Sequence, residues 1–406
     1  MKILFLNTFY SPDTLGGAEV VLQTLVEGAA AKGHEAIVLA TTDQRGLHKD
    51  EVNGIRIWRA GIQNVFWPVL RVGRPFLKKA FWHLVDSYNP AMERALKDVL
   101  EIERPTVASV HNLAGWSVAT WAAFHAVGIP FVQVLHDHYL LCPRCTMFRN
   151  GENCTEQCVS CRALRFFHEE MSRKASGVVG VSRYILDRHI QGGLFRGVPH
   201  QSVIFNACRS SDLYLDEYSW KEGRAKNEGI RFGFIGSLHH GKGVEDLIRA
   251  FVLRSPVLSE LWIAGSGTKE YEERLRKLSS GASVRFLGRM RPVDFYPNID
   301  VVVVPSRWNE SLPTVVIEAM AFGKAVIASS VGGIPELVKH AETGLLVKPG
   351  DPEDLSFAMR EMASQPDMRR SFEISAKKGA AFFLDHEGFV ENHLQVYGSV
   401  CAYSDV

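Results

Sequence analysis

The sequence predicts an α/β protein made of two Rossmann-like domains that face each other across a cleft. Three observations predict it. The chain has 406 residues, too many for one ordinary core and enough for two domains of roughly 200 residues. Short β-branched runs recur along it, and most are continuously apolar, as strands buried on both faces of a parallel sheet are. Helical stretches separate these runs, which makes βαβ units.

The first-half strands read "ILFLN", "EAIVLAT", "IRIWRA", "TVASVHN", "PFVQVLHD" and "GVVGVS". The second-half strands read "RFGFIG", "LWIAG", "VRFLG", "VVVVPS", "AVIASS" and "GLLVKP". Between the two series, His200 to Phe232 is polar and carries Gly223 and Gly229, so the junction is expected there. Residues 1–205 then form the first domain, 206–385 the second, and 386–406 a last helix. Apolar residues make up 46% and charged residues 22%, a soluble globular mixture. A net charge of +1 gives no reason to expect nucleic acid as a partner. No run of about 18 apolar residues is present, so no membrane-spanning helix is expected. The opening "MKILFLNTFYSPD" has too short an apolar run for a secretory leader and reads as a first strand. A cytoplasmic protein is expected, with a place at the inner face of the membrane left open.

The stretch "WNESLPTVVIEAM", Trp308 to Met320, puts Glu310 before an apolar helix and Glu318 inside it. A helix from about Pro313 to Ala321, stopping at Gly323, would offer free amides and a partial positive charge at its start. That is a seat for a diphosphate. Glu318, one and a half turns along, can accept two hydrogen bonds from a vicinal diol. Glu310 would sit in the loop, free to face a sugar. Spacing alone equally allows a solvated loop charge and an exposed helix residue. In "FGFIGSLHHGKGVEDL" a strand ends at Gly236 and Lys242 sits in the turn before a helix starting near Val244. There it can neutralise a leaving diphosphate, or simply be solvated. Gly16 and Gly17 precede a helix starting around Ala18, so backbone amides can approach a ligand, or the glycines only make a turn. His136 and His111 both end strands, where sites form. A histidine there can act as a base or be structural.

At these residues the chain resembles the retaining glycosyltransferases of family 4. The features that carry the resemblance are the E-x7-E of Glu310 and Glu318, "GSLHHGKG" at 236–243, "GGAE" at 16–19, "VHN" at 110–112, "VLHD" at 134–137, "VGVS" at 179–182, "AGSG" at 264–267, "FLG" at 286–288, and "GGIPELV" with "TGLLVKPGD" ending at Asp351. The resemblance implies a GT-B fold, with the last helix crossing back onto the first domain. It implies a nucleotide-sugar donor held mainly by the second domain, through Gly236, Ser237, Lys242, Ser311, Leu312, Pro313 and Glu318, with Gly16 and Gly17 over the phosphates. Glu318 would take the ribose, Glu310 the donor sugar, and Lys242 the diphosphate. His136 would lie near the transferred sugar, and His111 and Asn112 on the acceptor side, for a sugar or lipid-linked acceptor. One departure stands out. Where the family commonly has an arginine after the turn glycine, this chain has Ser237, which leaves Arg289 or Arg307 as the second cation. No Asp-x-Asp pair exists in the chain, so no metal is expected in catalysis. Front-side attack implies no covalent nucleophile. A sugar-nucleotide epimerase of the same architecture and a non-catalytic sugar-nucleotide-binding module are the alternatives.

Two further stretches stand apart. Five of seven cysteines fall at 142–161 as C-x2-C-x8-C-x3-C-x2-C, with no signal for a disulfide framework. The spacing suits a structural zinc on Cys142, Cys145, Cys158 and Cys161, with Cys154 a rival ligand, or a set of reduced thiols. "VFWPVLRVGRPFLKKAFWHLV", Val65 to Val85, mixes apolar residues with Arg71, Arg74, Lys78 and Lys79 and has no acid. It reads as an interfacial helix for a peripheral membrane contact, or as an amphipathic helix packed on the first domain.

Overall fold

The computed structural model describes residues 1–13, 16–67, 75–209, 213, 229–253 and 258–404. Most of the expected junction, and Arg71 and Arg74 of the basic stretch, lie outside the described residues. The chain divides into two compact units. One comprises Met1–Met147, Cys154–Asn206 and the segment from His386; the other comprises Phe148–Asn153 and Ala207–Asp385.

In chain order the first unit opens with β1 (Lys2–Leu6), α1 (Gly17–Ala31), β2 (Glu35–Thr42), β3 (Leu47–Val52) and β4 (Ile55–Gly61). Next come α2 (Phe76–Val85), α3 (Pro90–Glu103), β5 (Val107–Val110), α4 (Ala119–Ala126) and β6 (Phe131–Leu135). A small hairpin, β7 (Phe148–Arg149) and β8 (Glu152–Asn153), precedes α5 (Val159–Leu164), α6 (His168–Ser172), β9 (Gly177–Gly180), α7 (Arg183–Gln191) and β10 (His200–Val203). Among the described residues the large sheet runs β10-β9-β6-β5-β1-β2-β4-β3. All its pairs are parallel except β3–β4. The apolar-run reading passes over β3 because its residues, LHKDEV, are mostly charged and exposed, as an edge strand tolerates.

Away from its edge strands β3 and β10, the sheet buries side chains on both faces. Trp82, Trp116 and Trp121 are fully buried. Each indole N–H finds an acceptor, at Phe66 O (2.8 Å), Asn7 O (2.8 Å) and Gln133 Oε1 (3.0 Å) respectively. A buried indole without such a partner would be costly. Polar caps set the starts of α3 and α7, the latter through Ser182 on the Ile185 amide. Asn89 accepts from the amides of Ala91 and Met92, with Pro90 at the first helical position. The helix α2 behaves differently. Of its residues Trp82 is buried, while Phe76, Leu77, Phe81 and Leu84 are 81%, 78%, 56% and 61% exposed. The reading in which this helix packs its apolar side on the first domain therefore fails for those four residues.

The second unit contains β11 (Ile230–Ile235), α8 (Val244–Leu253), β12 (Ser259–Ala264), α9 (Lys269–Leu278), β13 (Val284–Gly288), α10 (Pro292–Phe295) and β14 (Val301–Val304). It continues with α11 (Thr314–Ala321), β15 (Ala325–Ser329), α12 (Ile334–Leu337), β16 (Gly344–Val347), α13 (Pro352–Ser364) and α14 (Pro366–Leu384). Its strands, in the order β13-β12-β11-β14-β15-β16, are all parallel. Phe232, Leu247, Phe251, Val303 and Ile327 are part of one continuous core between sheet and helices. The final helix α15 (His386–Ser404) belongs to the first unit. Among the described residues no helix is long and apolar enough to cross a membrane.

Helix α15 lies against α1 at Gly28, where a Cβ would collide with the side chain of Val390. Gly28→Val is expected to force the two helices apart and destabilise the protein by about 1–3 kcal/mol. Urea unfolding of the variant checks this, and an unchanged midpoint would contradict the contact.

Candidate functional site

In the second unit the chain leaves β14 at Pro305 and reaches α11 through the loop Ser306–Pro313. Three donors converge on one oxygen of Glu310. Lys242 Nζ (2.7 Å), Ser306 Oγ (2.7 Å) and Trp308 Nε1 (2.8 Å) all reach Oε1. The Glu310 side chain is only 12% exposed. Burial pushes its carboxyl up, but the Lys242 charge and the three hydrogen bonds outweigh this and hold it below its ordinary range. Glu310 is thus an ionised, largely desolvated carboxylate, neither a solvated loop charge nor a free one.

Two glycines make this packing fit. A Cβ on Gly241 would strike the Trp308 ring. Instead Trp308 lies over that turn, stacks on His239 at 5.2 Å and sits 5.3 Å from Lys242 Nζ. Gly332 has φ 56°, and a Cβ there would strike the Glu310 carbonyl. That carbonyl accepts instead from the Gly333 amide at 2.7 Å. The "GGIPELV" run thereby fixes the backbone of Glu310.

The helix α11 begins one residue after Pro313 and is followed by Gly323 at φ 59°, close to the expected bounds. Leu312 and Pro313 are buried and Ser311 half-buried just before it. Glu318 is half-buried, and its Oε2 accepts from the Tyr296 hydroxyl at 2.8 Å. Burial pushes Glu318 up, opposed by hydrogen bonds from Tyr296 and Thr314. The exposed-helix reading of Glu318 therefore does not hold. Lys242 closes a short 3-10 turn, His240–Lys242, after the exposed Ser237. Gly236 sits at the end of β11. Neither expected second cation reaches this cluster. Arg289 is exposed and donates to Ser266 Oγ at 3.0 Å. Arg307 pairs with Asp246 at 3.1 Å and lies 3.1 Å from His240 Nε2.

Sequence reading missed several residues that shape this loop. Tyr296, Ser306 and Trp308 hold the two glutamates. Asn153, on β8, donates to Arg307 O (2.7 Å) and accepts from the Asn309 amide (2.9 Å). No local pattern links Asn153 to a loop about 150 residues away, so only the fold reveals it.

In the first unit, His136 and His111 are brought together. His136 Nε2 and His111 Nδ1 share a hydrogen bond of 2.8 Å. The chain continues from His111 to Ser109 Oγ (2.9 Å), to the Tyr397 hydroxyl (2.7 Å) and to His393 Nδ1 (3.3 Å) on α15. Asn112 is half-buried beside them, its amide bonded to Asn7 Oδ1. Gly16 and Gly17 are exposed at the start of α1, where the Gly16 amide donates to Glu19 Oε2 at 2.8 Å.

Comparison with known proteins shows the family to which these features belong. The model of "Glycosyltransferase Family 4" matches residues 15–205, and that of "Glycosyl transferases group 1" matches residues 216–379. The chain belongs to the family 4 glycosyltransferases. It is 30% identical over 337 residues to an uncharacterized 42.6 kDa protein in the cps region of Klebsiella pneumoniae, covering 83% of this chain and 87% of that one. Its fold resembles sucrose-phosphate synthase from Thermosynechococcus elongatus, with TM-score 0.76 and 18% identity over 99% of both chains. It also resembles Anabaena HepE in complex with UDP and glucose, with TM-score 0.70 and 21% identity over 98% of this chain and 100% of that one.

Burial pushes His136 and His189 down to about 4 and His393 to about 3. All three are neutral in the folded protein at pH 7, whereas in an unfolded chain they titrate near 6.5. The unfolded state therefore binds more protons below that pH, and stability falls as pH drops from about 6.5 toward 4. The urea midpoint is expected to be lower at pH 5 than at pH 7.5. Equal midpoints would contradict neutral burial.

Proposed function

We propose that the protein transfers a sugar, with retention of configuration, from a nucleoside-diphosphate sugar to an acceptor hydroxyl. The observation that carries this reading is the buried, ionised Glu310 paired with Lys242 beside the start of α11. A diphosphate seated at the α11 amides would draw Lys242 toward its own charge. Glu310 would then accept from a hydroxyl of the donor sugar. Glu318, already placed to accept from Tyr296, would take the ribose hydroxyls. In this reading Lys242 and the loop amides of Ser311 and Leu312 stabilise the departing diphosphate by preorganised charge, without a divalent ion. Gly236 and Ser237 line the turn that carries Lys242. The similarity to HepE, a structure described with UDP, supports a nucleotide-sugar donor. From the first unit, His136 is proposed to act on the transferred sugar, His111 and Asn112 to meet the acceptor, and Gly16 and Gly17 to take part in donor binding.

The acceptor is proposed to be a growing polysaccharide, lipopolysaccharide or glycolipid, met at the inner face of a membrane. The exposed Phe76, Leu77, Phe81 and Leu84 beside Lys78 and Lys79 support that contact. The full chain is expected to sediment with vesicles containing anionic phospholipid at low salt and to stay in solution with neutral ones. Equal behaviour in both would remove the membrane contact.

A panel of nucleotide sugars tests the reaction. Transfer releases nucleoside diphosphate, epimerisation changes the sugar without releasing it, and a binding module does neither. Glu318→Ala is expected to lower activity about 10–100-fold, the loss of roughly 1.5–3 kcal/mol for a hydrogen bond to a charged group. Turnover and donor affinity that stay unchanged in this variant would sink the ribose role.

A further inference from the structure

The reaction makes no use of the cysteine-rich loop, yet the fold gathers its thiols. Cys142 is buried at the end of a tight turn, with its amide on His138 O at 2.7 Å. Cys145 closes that turn onto Cys142 O at 2.9 Å and holds φ 65°. The amides of Arg144 and Met147 both point at the Cys142 sulfur. From the other side, Cys158 precedes α5 and Cys161 lies on it. The sulfur of Cys161 is 3.3 Å from that of Cys158 and 3.8 Å from that of Cys142. Four sulfurs at about 2.3 Å around a tetrahedral zinc stand about 3.8 Å from one another. All these cysteines are free of disulfides.

A buried cation lies beside these thiols. Arg165, at the end of α5, is 4% exposed. Its Nε donates to Tyr139 O at 2.9 Å and its guanidinium lies 4.3 Å from the Tyr139 ring centroid. Both terminal nitrogens are buried without a hydrogen-bond partner. The Asp86 carboxylate comes first among the groups acting on it, followed by Cys145, Cys142 and Cys161, and its charge also reaches Asp137. The Asp86 carboxylate supplies part of the anion a buried guanidinium needs, and thiolates on the neighbouring cysteines would add to it.

We propose that Cys142, Cys145, Cys158 and Cys161 hold one structural zinc ion. Four thiols give up four protons to solvent and bind Zn²⁺, leaving a centre of net charge −2 beside Arg165. The two amides on the Cys142 sulfur are the hydrogen bonds that such a thiolate draws. Among the described residues no three donors already encircle a common point. The Cys145 thiol bonds Asp137, and metal binding turns it from that carboxylate to the centre. Cys154 is the rival ligand; its amide donates to Met147 O and its carbonyl accepts from Arg188. The ion would pin α5 to the turn that follows His136 and Asp137. This does not depend on the transfer reaction.

Metal analysis of the full chain, purified without a metal column or added metal, tests the site. About one zinc per chain is expected, released when a mercurial caps the thiols. Cys161→Ser and Cys158→Ser should each cut the content to below about one-tenth, while Cys401→Ser keeps it. Cobalt added to metal-stripped wild-type protein should show the intense absorption of tetrahedral thiolate ligation, a readout that needs no variant to fold. Three results would overturn the proposal. They are wild-type protein with no stoichiometric metal and five freely titrating loop thiols, a Cys158–Cys161 disulfide found by mass, or a coloured iron centre.

Discussion

The second unit is arranged around one carboxylate oxygen. Oε1 of Glu310 takes hydrogen bonds from an ammonium, a hydroxyl and an indole. A carboxylate so far from water survives only with such partners. Each partner imposes a requirement elsewhere. Trp308 can reach only because position 241 has no side chain, and the Glu310 backbone can dock only because position 332 adopts a left-handed conformation. In the proposed reaction the same oxygen links two ligand parts. Under that proposal an anion that drew Lys242 away would leave Glu310 short of a donor, and a sugar hydroxyl would take its place. Phosphate and sugar recognition would then be coupled through one side chain.

Much of the architecture was legible in the sequence because parallel strands buried on both faces are written as unbroken apolar runs. The strands whose residues are polar, β3 with LHKDEV and β10 with HQSV, escaped for the same reason. The α11 limits were readable from Pro313 and Gly323, which act locally on backbone angles. At the site, residue types announced Glu310, Glu318 and Lys242, but their environment was not readable. Whether a glutamate is solvated or buried depends on side chains distant in sequence. Tyr296 is 22 residues from Glu318 and Lys242 is 68 from Glu310. The expectation for Arg289 and Arg307 rested on charge alone; in the fold Arg289 bonds Ser266 and Arg307 pairs with Asp246.

The first unit has its own polar thread, from His136 through His111, Ser109 and Tyr397 to His393. Its members sit on β5, at two strand ends and on α15. Each is buried or half-buried, so each must find a partner inside the protein. The thread sets the orientation of the imidazole at the end of β6 by bonds that begin on the last helix. The stacking of the two imidazoles, 5.1 Å apart, adds a second restraint on that orientation.

Because α15 belongs to the first unit yet follows the whole second unit in the chain, that unit cannot be completed during synthesis in the usual order. While the ribosome is still making residues 207–385, the groove along α1 and the hydroxyl of Ser109 wait without Val390 and Tyr397. The nascent first unit is then an unfinished body with an open apolar flank, exposed to chaperones and to self-association until its last helix is released.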